Sequence, residues 1–182
     1  AVAERARGLG IAVELSISED LAAGYEAFAR FLPVRPVPLA TPVVPGRSEM
    51  LNAGGIIAAI DLAVADTVAG RTSAVATNPI AKSTLLKAGF RHPGHTEYLA
   101  ELAEHHHPGR RWVPVMMLAS DILRVVPLTV HVPVARVPEL LSTPRVVETV
   151  SIVAQALAAD FGIARPRIAV TGLNPHAGEA GT

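Results

Sequence analysis

The alternation of short apolar runs with helical patterns after residue 47 is the feature that most constrains the fold of this chain. Residues 72–77, 112–119, 124–134 and 167–172 are rich in valine, isoleucine and leucine, which is typical of buried strands. Residues 48–69, 81–89, 96–107 and 144–161 have helical patterns between them. Strands that alternate with helices predict an α/β fold with a largely parallel or mixed sheet that is covered on both faces.

The first 47 residues have a different organisation. A helix end and a glycine turn precede a short strand predicted at 11–15, and "ISEDLAAGYEAFARFL" predicts a short capped helix. Five prolines in residues 32–45 predict a connector or an edge strand, because proline cannot donate to a sheet. We therefore divide the chain into 1–47, part of a first subdomain with its connector, and 48–182, a central α/β region that carries the candidate site loops.

The composition excludes several classes of function. Half of the 182 residues are hydrophobic, which argues against disorder. Sixteen basic residues balance sixteen acidic ones, so charge gives no reason to expect nucleic acid or an anionic membrane as a partner. The absence of cysteine excludes thiolate metal sites, so that a transition metal would need histidine and carboxylate ligands. No apolar run reaches the roughly 18 residues of a membrane span, and we find no signal peptide.

Two histidines lie where strand-like segments run into polar loops. His131 is near the end of "LTVHV", and His176 lies in "NPHAGE" after "RIAV". Ligands bind beyond the carboxyl ends of strands in open α/β sheets, and imidazole is a common metal ligand. Both histidines are therefore candidate metal ligands. The alternatives are a strand histidine that donates to a carbonyl group and a turn histidine that has no ligand.

The loop "PGHTE" and the turn "NPIAKS" are candidate anion sites, because each opens a helix. Gly94 would let a ligand approach the backbone, and Thr96 would cap the helix or hold an anion together with free amide groups. His95 would add a donor or a charge, and Lys82 would meet a phosphate or a carboxylate. An ordinary helix cap and a solvated lysine are the alternatives.

Other motifs contribute less. The histidine run 105–107 is interpreted as a solvated helix end, because adjacent helical residues point in different directions. We leave His92 without an assignment. Glycine-rich Rossmann, P-loop and nucleophile-elbow patterns do not occur, so an ordinary nucleotide-binding fold is not supported.

Three segments together resemble one family of enzymes. "TNPIAKSTLLKAGFRHPGHTEYLAEL", "LTVHVPV" and "VTGLNPHAGEAG", in this order, are similar to the 4-hydroxythreonine-4-phosphate dehydrogenases, often called the PdxA family. The similarity extends from about residue 42 to residue 182. The combination of "GHTE" with a later "GLNPHAGE" is specific, whereas each piece alone would be weak.

The resemblance implies a fold, cofactors and site residues. The fold would be a three-layer α/β/α arrangement like that of isocitrate and isopropylmalate dehydrogenases, with two subdomains around a cleft. Members bind NAD or NADP without the Rossmann motif, and a divalent metal such as zinc, magnesium or cobalt on three histidines. Two of these match His131 and His176, and the substrate-binding pair matches His95 and Thr96. The family also implies a homodimer that shares the metal site between chains. Cytoplasmic location is expected from the missing signal peptide and from the cofactor.

The implied reaction is the oxidation of 4-phosphooxy-L-threonine by NAD(P), with loss of carbon dioxide to give 3-amino-2-oxopropyl phosphate. The metal would lower the pKa of the substrate hydroxyl group, and hydride would pass to the nicotinamide. The residue that transfers the proton is unknown. This reaction belongs to pyridoxal 5′-phosphate (vitamin B6) biosynthesis.

Departures from the family pattern keep other interpretations open. The third metal histidine, further phosphate contacts and much of the nucleotide site would lie outside these 182 residues, so we expect this portion alone to be an incomplete fold without activity. Relatives that oxidise D-threonate or D-erythronate 4-phosphate are one alternative. A truncated, non-catalytic oligomerisation fragment and a phosphate-binding module without redox chemistry are the others.

Overall fold

The computed structural model describes residues 1–179, which form two compact units, 1–114 and from Val115 onward. The first unit contains five α-helices, a short 3-10 helix and two strands. Its helices are α1 (Val2–Gly8), α2 (Leu21–Ala27), α3 (Ala53–Val68), α4 (Lys82–Lys87) and α5 (His95–His106), with the 3-10 helix at Met50–Asn52. Its strands β1 (Leu15–Ile17) and β2 (Leu32–Val34) pair in parallel, with Ser16 opposite Pro33. In the sequence, the first unit ends at Pro114 and the second begins at Val115. The predicted subdomain boundary after residue 47 stays a prediction.

The core of the first unit lies where α3, α4 and α5 meet. Six residues are buried there, and they come from α3, α4, the turn after α4 and α5: Ala53, Ile60, Val64, Leu85, Phe90 and Tyr98. The helical pattern of α3 predicts an apolar stripe. Val68 of this stripe is exposed, whereas four of its members pack here: Ile56, Ile57, Ile60 and Val64. Tyr98, Leu99 and Leu102 of α5, which the pattern predicts to face inward, pack in or against the same core. Burial of these side chains is the main force that holds α5 against α3.

The carboxylate of Asp66 lies buried near the end of α3 between two arginines. Arg71 places Nη2 2.6 Å from Oδ1 of Asp66, and Arg35 places Nη1 3.0 Å from Oδ2. The hydrogen bonds from Arg71, and then those from Arg35, hold the pKa of Asp66 below its ordinary value of 3.8 although burial opposes this. Asp66 thereby ties the end of α3 to the segment after β2.

The second unit contains two helices, a 3-10 turn and a hairpin. Strands β3 (Leu118–Ala119) and β4 (Arg124–Val125) pair antiparallel, and a 3-10 helix at Val134–Arg136 leads into α6 (Val137–Leu140). Helix α7 extends over Thr143–Ala159, and Ser142 is its N-cap, with a hydroxyl group that accepts a hydrogen bond from the Arg145 amide group. Gly162, at φ +69°, follows the end of the helix. The long helix predicted over 144–161 is confirmed.

Several predicted strands are absent from the described residues. No strand pairing occurs in three of the predicted stretches: 72–77, 126–134 and 167–172. In the stretch 112–119, only the last two residues form a strand. Val170 is 65% exposed, so this segment is not buried as an interior strand would be. An apolar run supplies side chains for burial, but a strand also requires a neighbour that completes the backbone hydrogen bonds. The larger parallel or mixed sheet predicted from these runs is therefore not seen in residues 1–179, whose named strands form two two-stranded sheets, although the α/β class holds.

Two other details of the first 70 residues differ from expectation. The first strand lies at Leu15–Ile17 and not at 11–15. Ser48 begins the helical pattern at 48–69 and is predicted as its N-cap, but it does not cap α3 because a 3-10 turn intervenes. Its hydroxyl group lies 2.7 Å from that of Thr84. The predicted capped helix in 17–32 is confirmed, with the side chain of Asp20 accepting from the Ala22 amide group.

The stretch Met50–Val68 is long and apolar enough to cross a membrane by length and composition alone. It contains the carboxylates Asp61 and Asp66, so it is not an uninterrupted apolar run. The same length and composition occur in core helices, and α3 contributes Ile60 and Val64 to the core described above. One such helix is therefore weak evidence for a membrane span.

Candidate functional site

Helix α5 carries the predicted substrate pair in its first turn. The helix begins at His95, and Gly94 is its N-cap in an extended conformation without a side-chain capping bond. Thr96 is therefore the second helical residue and not the cap, because the N-cap lies at Gly94, two residues earlier than expected. His95 is half-buried, and Thr96 is exposed. The first-turn amide groups have no side-chain acceptor from the cap, which is the arrangement that favours an anion at a helix N-terminus.

Lys82 lies beside this turn, although twelve residues separate it from Gly94 in the sequence. A Cβ atom added at Gly94 would lie 3.3 Å from Nζ of Lys82 and 3.7 Å from Oε2 of Glu97. A side chain at position 94 would therefore crowd the lysine ammonium group, whereas glycine lets it lie against the backbone. The structure brings Lys82, Gly94 and the start of α5 together, as an anion site would require.

Three aromatic rings pack together next to the turn, and two of them, those of Phe90 and His92, have no role predicted from the sequence. Phe90, His92 and Tyr98, which we call the ring cluster, have pairwise centroid distances of 5.1, 5.0 and 4.9 Å. For Tyr98 the helical pattern predicts an inward-facing side chain and no hydrogen-bond partner. The spacing of Phe90, His92 and Tyr98 around "GHTE" was the available signal, but it does not reveal which polar partners they meet.

Two carboxylates face the ring cluster. The Tyr98 hydroxyl group donates a hydrogen bond to Asp61 on α3, and Nε2 of His92 lies 3.3 Å from Oε2 of Glu101 on α5. Burial, and then the bond to Asp61, raise the pKa of Tyr98 well above its ordinary value. Both causes favour the protonated hydroxyl group, which is the form that donates to Asp61.

His131, a predicted metal ligand, is exposed and has a left-handed backbone. Its φ is +56°, which makes it the one non-glycine residue with positive φ among residues 1–179. Such a conformation is uncommon for residues with a side chain, and strained residues of this kind concentrate at functional sites. His131 does not follow a strand in the described structure, contrary to expectation.

His176, the other predicted ligand, lies in a tight exposed turn. Its amide group donates to Oδ1 of Asn174 at 2.9 Å, and its Nδ1 lies 3.2 Å from Oε2 of Glu179. The imidazole is 79% exposed, so its Nε2 faces solvent. Residues 180–182, the end of the predicted loop, lie outside the described residues.

The described residues do not form a complete metal centre. His131 and His176 belong to the same unit, but residues 1–179 contain no group of three histidine, aspartate or glutamate side chains that could hold a metal ion. Catalytic zinc sites use three protein ligands. His131 and His176 are both exposed, and their role as metal ligands stays a prediction.

A cavity of about 420 Å³ in the first unit contains none of the predicted residues. Tyr25, Phe28, Arg35 and Arg71 contribute to its wall. Both guanidinium groups are bound to Asp66, and Arg35 also bonds Glu19 at 2.6 Å. Because these cations are already neutralised, the cavity does not favour an anionic ligand.

Comparison with known proteins decides the family. The protein family described as "Pyridoxal phosphate biosynthetic protein PdxA" matches residues 2–182. The chain belongs to the PdxA family. A 4-hydroxythreonine-4-phosphate dehydrogenase of Bradyrhizobium diazoefficiens is 51% identical over 177 residues, which cover 97% of this chain and 50% of that protein. One of Xanthobacter autotrophicus is 46% identical over 185 residues, covering 100% of this chain and 51% of the relative.

Solved structures of PdxA relatives agree with the fold. The 4-hydroxythreonine-4-phosphate dehydrogenase of Burkholderia phymatum is 30% identical, with a TM-score of 0.78 over 97% of this chain and 52% of that one. The enzyme of Klebsiella pneumoniae, also 30% identical, gives a TM-score of 0.74 over 92% of this chain and 50% of that one. The chain thus spans about half the length of the PdxA relatives it matches.

Proposed function

We propose that the protein takes part in the NAD- or NADP-dependent, metal-dependent oxidation of 4-phosphooxy-L-threonine, with decarboxylation to 3-amino-2-oxopropyl phosphate, in vitamin B6 biosynthesis. Membership of the PdxA family and the names of the relatives support the oxidation. The observation that carries the proposal to this chain is the position of Lys82 beside Gly94 at the start of α5.

The start of α5 would bind an anionic end of the substrate. The free amide groups of the first turn and the Lys82 ammonium group supply positive potential, and the exposed Thr96 hydroxyl group supplies a further donor. His95 would donate from its half-buried imidazole. These groups bind and orient the substrate, so that its secondary hydroxyl group is held in one place for hydride transfer.

His131 and His176 would hold the divalent metal together with a third ligand. Zinc, magnesium or cobalt would stabilise negative charge on the substrate oxygen when bound. Neutral imidazoles leave the positive charge of the ion undiminished, which suits that role. The left-handed backbone at His131 and the short Asn174–His176 turn would fix the direction of each ring.

The remaining features of the family are part of the same proposal. They are a homodimer that completes the metal site, a three-layer α/β/α arrangement with a cleft, and cytoplasmic location. TM-scores above 0.7, over about half of each solved relative, support a fold shared with these relatives. The nucleotide would bind without a Rossmann loop, since the sequence contains none.

A substrate panel tests this proposal. We would measure NADH and NADPH formation by the complete gene product with 4-phosphooxy-L-threonine, D-threonate 4-phosphate and D-erythronate 4-phosphate. We expect kcat/KM to be highest for 4-phosphooxy-L-threonine. A preference for either sugar-acid phosphate would change the proposed substrate but not the proposed type of reaction. If none of the three compounds were turned over, the proposal would be contradicted.

A further inference from the structure

The contact between α5 and α3 contains a directional bond that its packing does not require. The apolar contacts of these two helices come from one core cluster, which includes Ile60 and Val64 of α3 and Leu99 and Leu102 of α5. Apolar contacts alone resist separation, but they permit small shifts of one helix along the other. The buried hydroxyl group of Tyr98 and its acceptor Asp61 add a bond with a fixed direction.

This bond lies next to the substrate pair in the chain. Tyr98 is the fourth residue of α5, three residues after His95 and two after Thr96. A phenylalanine would pack there without the cost of burying a hydroxyl group. The presence of tyrosine together with a carboxylate acceptor therefore indicates that the position of α5 on α3 must be fixed, and not only that the side chain must be buried.

The ring cluster extends the same restraint to the residues before the helix. His92 lies two residues before Gly94, and its ring contacts both Phe90 and Tyr98. Its contact with Glu101 links the entry turn to the second turn of α5. The turn that presents Gly94, His95 and Thr96 is thus held from both sides.

We propose that Tyr98 and Asp61 are positioning residues, which fix the first turn of α5 against α3 and thereby set the place of His95 and Thr96 for the substrate. The inference rests on the proposed function for its kinetic consequence. Tyr98 acts through the helix and does not touch the substrate.

Tyr98→Phe in the complete gene product is the first test. We expect KM for 4-phosphooxy-L-threonine to rise about 10-fold, the loss typical of a misplaced binding group, while kcat falls less than KM rises. Asp61→Asn keeps a neutral acceptor oxygen, so its KM should lie between those of wild type and Tyr98→Phe. Tyr25→Phe is the matched control, because Tyr25 is 86% exposed and should change neither constant.

Leu99→Ala separates positioning from mere stability. Leu99 packs against the same core, so its truncation destabilises the protein without removing the directional bond. Assays at a temperature well below both melting points should leave its KM unchanged. If Tyr98→Phe and Leu99→Ala raised KM equally, or if Tyr98→Phe left KM unchanged, the positioning role would be rejected.

Hydrogen exchange gives a result that does not depend on turnover. Tyr98→Phe should speed amide exchange in residues 91–98 by about 10-fold or more, with a smaller effect at the end of α5. If the wild type proved inactive but this selective change were seen, the proposed function would fail and the restraint on the turn would stand. Unchanged exchange in 91–98 would overturn the inference whatever the activity.

Discussion

At the scale of single residues, the electrostatics of the first unit distinguish two kinds of cation. Arg35 and Arg71 are both bound to the carboxylate of Asp66, and they stabilise the fold. Lys82 is exposed and lies beside the glycine that begins α5, where a ligand would meet it. Of these three cations, Lys82 is the one that the proposed anion site would use.

Replacement of Lys82 by alanine should weaken substrate binding. We expect KM for 4-phosphooxy-L-threonine to rise about 10-fold, because one charged hydrogen bond is lost at an exposed site. Lys87→Ala, in the last turn of the same helix, is the control and should leave KM unchanged. An equal effect of both variants would assign the change to net charge and not to the anion site.

Asp66→Asn should lower stability at neutral pH. The folded pKa of Asp66 is depressed, so the ionised form stabilises the native state above pH 3.8 and the contribution is lost as the pH falls through the folded value. The urea midpoint of the wild type should therefore decline below about pH 4, and the variant should lack this part of the decline. Asp121→Asn, at an exposed position, serves as control. A variant as stable as wild type at pH 7 would contradict this role.

At the scale of elements, the helices were more predictable than the strands. The sequence of α7 contains its own boundaries, with Ser142 as a cap and Gly162 as a left-handed residue. Residues 72–77 contain only an apolar pattern, and their pairing depends on whichever segment lies alongside. In the site, Lys82, His95 and Thr96 could be chosen from local motifs. The bond between Tyr98 and Asp61 could not, because 37 residues separate the partners.

The two adjacent glycines of α3 should respond in opposite directions to alanine. A Cβ atom at Gly54 would meet nothing within 4 Å, so Gly54→Ala should raise the free energy of unfolding by about 0.5–1 kcal/mol. At Gly55 it would lie 2.6 Å from the carbonyl oxygen of Pro38, so Gly55→Ala should lower that free energy by about 1–3 kcal/mol. Urea unfolding measures both, and the same sign for the two variants would refute the close packing of α3 on residue 38.

At the scale of the whole molecule, the candidate site residues are divided between the two compact units. The first contains Lys82, His95 and Thr96, and the second contains His131 and His176. The described residues supply two candidate metal ligands where three are needed, and the chain spans about half of its relatives' length. We therefore propose that catalysis requires ligands from outside these residues, from the rest of a longer chain, a partner subunit or both.

The central claim is tested most directly by metal-dependent turnover of the complete gene product. The protein would be stripped of metal with a chelator and assayed with 4-phosphooxy-L-threonine and NAD or NADP, with reduced nucleotide and carbon dioxide measured together. The account predicts no turnover without metal, and equimolar release of the two products once zinc, magnesium or cobalt is restored. Full activity of the stripped protein, or no activity from a folded protein that has taken up metal, would contradict it.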